Sequence, residues 1–426
     1  MWKFSANPIT FHSTIGLQSA IELVEQWDGT LLYTSPDVEG DNDIILAFNP
    51  LLDISDELPL QLIDQLQESH PFDFPWIFGY IGYDAKGILE EQGIYSNLQD
   101  TDFPLFNFHV YQFVFIFNQQ WNLKKAYEIK PQKANKTSIS IEQALSFPKT
   151  GSGIFRISDL QSFPAQEGFI QGVNRIQEYI RAGDVYQVNL TRKVTADFTG
   201  DTSAAAKSLL ESNRIEFGVF FKSEERYLIS TSPERFFKTQ NGKILTSPIK
   251  GTAGRNGDDE TVKGQLLNDT KNLRELAMIT DLLRNDIAKI CTPGTVKVNG
   301  FPILKTLKNV FHLVADIEGQ LTSSRFSDIM EAMFPGGSIT GCPKIRACQI
   351  IEELEQKGRG PYTGSFGYLS GDGVLDFNIL IRTVFIDKSR LSFNVGGGIT
   401  LLSNPIDEYD ETVHKAVNIV SALVKH

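Results

Sequence analysis

Tyr368-Leu369-Ser370-Gly371-Asp372-Gly373-Val374-Leu375-Asp376-Phe377-Asn378-Ile379-Leu380-Ile381-Arg382-Thr383-Val384-Phe385-Ile386-Asp387-Lys388-Ser389-Arg390-Leu391-Ser392-Phe393-Asn394-Val395 is the stretch that decides the fold class. Two clusters of turn residues, at 370–373 and 387–389, separate runs rich in β-branched and aromatic side chains. The reading is a β-meander in which 374–386 and 391–395 are strands. Working outward, further strands are predicted at 29–35, 44–48 and 109–117, the last returning through Asn118-Gln119-Gln120 into 121–129. Two more, 226–231 and 243–247, stop at Ser232-Pro233 and before Pro248, because proline disfavours helix before it and offers no ladder donor.

Helical spacing separates these strands. Phe169, Val173, Ile176 and Ile180 share one face over 166–181, as do Leu276, Ile279, Leu283, Ile287 and Ile290 over 273–290. A closing helix is predicted from about 404 to 425. Strands and helices mix without regular βαβ alternation and without an internal repeat, which predicts an α+β fold. A polar stretch at 130–153 is the candidate linker, so the chain divides into 1–155 and 156–426.

The chain has 426 residues, 41% of them hydrophobic, enough for a sizeable core. Its net charge of −12 disfavours nucleic acid and anionic membranes as partners. An anionic substrate therefore needs a local basic pocket or a metal. Cys291, Cys342 and Cys348 show no CxxC spacing, which fits buried, reduced thiols. There is no leader pattern and no apolar run of about 18 residues, so a soluble, cytoplasmic protein is expected.

Some residues invite chemistry. Glu408, Glu411 and Lys415 fall on one stripe of the closing helix; they could be a solvated salt-bridge face, or a site where two carboxylates hold Mg2+. Glu275, near the start of its helix, suits the helix dipole or could be a third carboxylate. On the alternation of its strand, Arg382 shares a face with Leu380 and Val384, so it needs a partner acid or a bound anion. The glycine runs 336–341 and 396–398 match no P-loop and read as tight turns or anion cradles. Glu234 and Lys250 follow strand ends, where an acid and an amine could meet.

Taken together, SPERF at 232–236, PIKGT at 248–252, DLLRND at 281–286 and HLV at 312–314 occur in order. FPGGSITGCPK at 334–344, IRT at 381–383, GGGIT at 396–400 and EYDET at 408–412 come after them, with Lys415 three residues on. This ordered series resembles the chorismate-utilising enzyme family, and GYIGYD at 79–84 adds a looser match. The resemblance implies a single α+β assembly with a two-sheet sandwich core, helices outside it, and the two parts of the chain intertwined. It also implies Mg2+ held by Glu275, Glu408 and Glu411. Chorismate carboxylates would be shared by Arg382, Lys415 and backbone N–H groups around Gly337, Thr340, Gly341, Gly397 and Gly398. Gln187 stands where isochorismate- and salicylate-forming members place a lysine base, which disfavours those branches. Lys250 stands where anthranilate-forming members usually have Ala and members that aminate C4 have Lys.

Likeness to the C4-aminating branch implies a reaction. Lys250, which must be neutral, attacks C2, and Glu234 protonates the departing C4 hydroxyl. Ammonia then displaces the lysine to give 4-amino-4-deoxychorismate, with His312 and Thr252 in supporting polar roles. No Gly-x-Cys-x-Gly site occurs in this chain, so ammonia is expected from a separate glutamine amidotransferase subunit. Anthranilate formation is the alternative. Ala253-Gly254-Arg255, Cys342 and Ala315 depart from the usual family residues, but none of them removes a charged group.

Overall fold

The computed structural model describes residues 2–10, 14–35, 42–56, 60–89, 103–132, 138–146, 153–212, 216–255, 257–306 and 310–424. The α+β expectation holds. Among the described residues, nineteen strands are hydrogen-bonded into one large sheet that folds over on itself, and three more form a small sheet. Named pairings are antiparallel throughout.

The central strands of the large sheet are buried on both faces. Along Asp43–Ser55, Ile45 and Ala47 join one core, while Ile44, Leu46 and Phe48 join another. Its partner Phe106–Asn118 does the same, with Val114 and Ile116 on one face and Phe113, Phe115 and Phe117 on the other. A strand covered on two sides reads as a continuous apolar run, which is why 109–117 lacks alternation. Helices cover the second face: Ile21 and Val24 of Leu17–Trp27, Leu209 of Thr202–Ser212, and Ile419 and Leu423 of Pro405–Val424 all lie in that core. Phe48, Phe113 and Phe115 are fully buried; each contributes roughly 1.5–3 kcal/mol.

Strands on either side of residue 155 pair with each other. Gly29–Tyr33 pairs with Phe217–Ser223, and Pro75–Ile81 with Ser365–Ser370. Of the candidate linker, 133–137 and 147–152 lie outside the described residues, and Ile141–Leu145 is a short helix with a Ser140 capping box. The closing helix is Pro405–Val424; Lys425 lies outside the described residues. Among the described residues no helix is long and apolar enough to cross a membrane. All three cysteines are free thiols.

Three local readings are corrected. The run 374–386 is two strands, Leu375–Asn378 and Thr383–Asp387. Between them the chain bonds sideways: Ile379 N–H donates to Glu234 O (3.0 Å) and Leu380 N–H to Gly364 O (2.9 Å). Arg382 takes φ 50°, so strand alternation does not govern its direction. Gly396, Gly397 and Gly398 are no loop; they end the strand Arg390–Ile399 and pair with Thr191, Leu190 and Asn189. Lys250 likewise lies within a strand, Ile249–Gly254, not in a turn.

Candidate active site

A cavity of about 560 Å3 lies between the large sheet, the small sheet and the helices Thr270–Ala288 and Pro405–Val424. Its walls include Glu234, Lys250, Thr252, Glu275, His312, Arg382, Gly397, Gly398, Glu408, Glu411 and Lys415. Residues spread over almost two hundred positions thus meet in one space.

The small sheet aims the amine. Ile249–Gly254 pairs with Val310–Val314, and its register slips between Lys250 and Thr252. Gly251 absorbs the slip at φ 75°, where a Cβ would also meet the Asn272 side chain at 3.0 Å. Beyond the bulge Thr252 sits opposite His312, and Thr252 Oγ1 shares a 2.8 Å hydrogen bond with His312 Nδ1. Burial chiefly lowers the His312 imidazole, favouring its neutral form. Among the described residues, no carboxylate lies within ion-pair distance of the Lys250 ammonium.

Glu234 begins the next wall. Ser232 Oγ accepts the Glu234 N–H (3.2 Å) and donates to Ile379 O (2.6 Å), fixing the turn. The side chain is buried, and desolvation raises its carboxyl above 4.5 despite the Ser338 hydroxyl and the cations Lys250 and Arg382. It can therefore keep a proton to give away. Arg382 is open to the cavity and, among the described residues, has no ion-pair partner. The protein around it lowers its guanidinium and Glu234 opposes this.

Carboxylates gather at the far wall. A Cβ on Gly397 would lie 3.5 Å from Glu408 Oε2, 3.6 Å from Glu411 Oε1 and 3.9 Å from Lys415 Nζ. The glycine keeps that space open. Lys415 Nζ bonds Glu411 Oε1 (2.6 Å) and Gly396 O (2.8 Å), and Ser403 donates to Glu408 Oε1 (2.7 Å). Burial, and then the charges of Glu411 and Glu275, hold the Glu408 carboxyl above its ordinary range, with Ser403 and Lys271 opposing. Burial acts to raise Glu411 too, but Lys415, Lys271 and Lys250 bring it net lower. Glu408 thus feels both Glu411 and Glu275, and oxygen-donor carboxylates gathered in this way suit a hard divalent cation. Among the described residues they do not already converge as a closed ligand set.

Four expected residues do not line the cavity. Gln187 is buried behind Gly398, whose Cβ would meet its Nε2. Gly341 pairs with Val188, and a Cβ there would strike Gln187 O. Thr340 donates to Gly336 O (2.9 Å), and Gly337 packs against Leu282. These residues build the floor. Asp286 of DLLRND and Lys344 of the glycine-rich motif form an ion pair at 2.7 Å. Sequence reasoning misses Ser338, Asn189, Asn394, Lys271 and Asn272 in the walls. Ser338 lies inside the glycine-rich motif and Asn394 inside the meander; Lys271 and Asn272 carry no signal beyond a place at a helix start.

Residues 37–421 match the family described as chorismate binding enzyme. Aminodeoxychorismate synthase component 1 of Escherichia coli K12 is 35% identical over 383 residues, covering 86% of this chain and 83% of that one. Anthranilate synthase component 1 of Saccharolobus solfataricus is 33% identical over 394 residues, 89% of each. The crystal structure of anthranilate synthase component I from Streptococcus pneumoniae superposes with a TM-score of 0.76 at 27% identity, over 90% of this chain and 93% of that one. A match spanning the strands and helices that wall the cavity, with relatives a third identical over most of their length, makes this chain a member of the chorismate binding enzyme family.

Proposed function

We propose that this enzyme aminates chorismate at C4, giving 4-amino-4-deoxychorismate, as the name of the Escherichia coli relative implies. The observation that carries the reading is an amine, Lys250, with no ion-pair partner among the described residues, in the same cavity as a buried acid, Glu234, whose carboxyl is held up. Lys250 attacks C2 as its proton is lost to the surroundings. The ring double bonds shift toward C4. Glu234 gives its proton to the C4 hydroxyl, which departs as water. Ammonia then adds at C4, the double bonds return, and the C2–nitrogen bond to Lys250 breaks. His312 and Thr252 support this wall as a neutral hydrogen-bonded pair.

Arg382 and Lys415 bind carboxylate charge on the substrate. Glu275, Glu408 and Glu411 would hold Mg2+, which when bound neutralises carboxylate charge and orients the ring. Gln187, Gly337, Thr340 and Gly341 act from beneath, by shaping the floor. Ammonia comes from a separate glutamine amidotransferase subunit, consistent with a relative called component 1. Formation of anthranilate is the second reading, favoured by the 33% identity to an anthranilate synthase over 89% of both chains.

Mass spectrometry of products separates them. With chorismate, Mg2+ and ammonium, the wild type should form aminodeoxychorismate, and Lys250→Ala should lose it by roughly three orders of magnitude or more. Anthranilate and pyruvate from the wild type would sink the proposal.

A further inference from the structure

Chorismate brings two carboxylates and an ether bridge, which only accept hydrogen bonds; its one donor is the C4 hydroxyl. Ammonia, which takes the place of that hydroxyl, brings N–H donors. A protein acceptor left without a partner in this cavity therefore points to C4, or to water on the cation.

Asn189 is such an acceptor. It lines the cavity, and its Oδ1 is buried with no hydrogen-bond partner among the described residues. Its backbone is fixed on both sides. The Asn189 N–H donates to Thr340 O (2.7 Å), and the buried Arg359 guanidinium donates to both Asn189 O (2.9 Å) and Ile339 O (3.1 Å). The same short segment reaches the acid, because the Ser338 hydroxyl bonds the Glu234 carboxyl. Asn189 thus sits at the Glu234 end of the cavity.

Strand geometry turns it away from the cation wall. Asn189 lies in Gln187–Gly200 opposite Gly398, and residues opposite each other in a ladder share a face. A Cβ on Gly398 would point at Gln187, whereas one on its neighbour Gly397 would point at Glu408 and Glu411. Successive residues of a strand face opposite sides, so the Asn189 side chain leaves on the face away from Glu408 and Glu411. Its terminal torsion is soft, as for any amide, and a turn about it presents Oδ1 to the cavity.

Resting on the proposed reaction, we infer that the Asn189 carboxamide holds the ammonia that attacks C4. Glu234, once it has given up its proton, accepts a second N–H. Two acceptors then aim the nitrogen lone pair at the ring. The C4–nitrogen bond forms as the C2–nitrogen bond to Lys250 breaks. The lysine amine regains a proton from the surroundings, and the new C4 ammonium returns one to Glu234.

The test uses the full chain as wild type, Asn189→Leu, Asn189→Ala and Asn189→Asp. Ammonium chloride is titrated at saturating chorismate and Mg2+, chorismate binding is measured by calorimetry with Mg2+ and no ammonium, and intact mass follows the Lys250 adduct. Asn189→Leu keeps the size and removes the acceptor, so the ammonium KM should rise about tenfold, the worth of one hydrogen bond. The adduct, heavier than the chain by chorismate less water, should build up, while the chorismate Kd and the Mg2+ half-saturation stay within about twofold. Asn189→Ala, which cannot overpack, should behave alike, and Asn189→Asp, which keeps an oxygen acceptor, should recover most of the ammonium KM. An unchanged ammonium KM in Asn189→Leu and Asn189→Ala overturns the inference, as does a change confined to the chorismate Kd or to the Mg2+ half-saturation. A wild type that binds chorismate but makes no aminodeoxychorismate from ammonium overturns the reaction itself, and the inference with it.

Discussion

Arg359 and Arg382 carry the same guanidinium in opposite states. Arg359 is 3% exposed and saturated: it donates to Glu355 (2.7 and 2.8 Å), Ile339 O (3.1 Å), Thr363 (3.2 Å) and Asn189 O (2.9 Å). Burial alone would lower it, yet the Glu355 carboxylate raises it overall. Glu355 also accepts from Thr191 N–H (3.0 Å) and its hydroxyl (2.9 Å), and Asp84 accepts from the N–H groups of Arg359 (3.0 Å) and Gly360 (2.8 Å). This buried cluster fastens GYIGYD to the strand and turn beneath the cavity. Arg382, two strands away in sequence, has no such partner among the described residues and faces open space. The difference separates charges that hold the floor from charges kept for a ligand.

Three variants would break or sharpen that contrast. Glu234→Gln keeps shape but removes the proton to be donated, and kcat should fall by about 10²–10⁴. The sign with pH comes from the raised carboxyl. Activity that needs protonated Glu234 falls as pH rises through its raised value, so the variant's residual rate should lose that limb. Stability moves the same way: the contribution of Glu234 is fully present below 4.5 and is lost as pH rises through the raised folded value. Denaturant titrations should therefore show Glu234→Gln gaining on wild type toward neutral pH; an unchanged difference would mean that Glu234 is not a buried acid.

Arg359→Met comes next. It strands Glu355 in the core and should cost about 3–5 kcal/mol of unfolding free energy. If urea melts show little change, the floor does not depend on this pair. Arg284→Ala is the smallest. It removes an exposed pair with Asp281 (2.5 Å, side chains 52% and 61% exposed), and stability should stay within about 0.5 kcal/mol of wild type. Arg284 belongs to the same DLLRND motif as buried Asp286, so the two positions test whether burial or motif membership sets the cost.

Legibility tracks the physics of each element. The helix Gln166–Ala182 is readable because one face is wet and one is dry, and its Gly183 C-cap adopts φ 85°. The strand Lys243–Thr246 ends before its proline, as the sequence predicts. Lys344–Glu355 and Phe326–Met333 escape a sequence reading, since their buried faces answer to partners remote in the chain. The glycines at 396–398 do not read as a strand because glycine has no side chains to alternate; Gly396 is there because a Cβ would strike Leu190 O.

By itself the sequence determined the α+β class, the helix faces, the order of the motifs and most of the charged residues that line the cavity. Those features depend on local periodicity and on residue identity. Only the tertiary structure decided which charges remain unpaired. Arg359 and Arg382, Lys344 and Lys271, Glu355 and Glu408 are alike as letters. Their roles diverge because pairing and burial are fixed by chain segments that meet only after folding, and desolvation and Coulomb energy depend on those meetings.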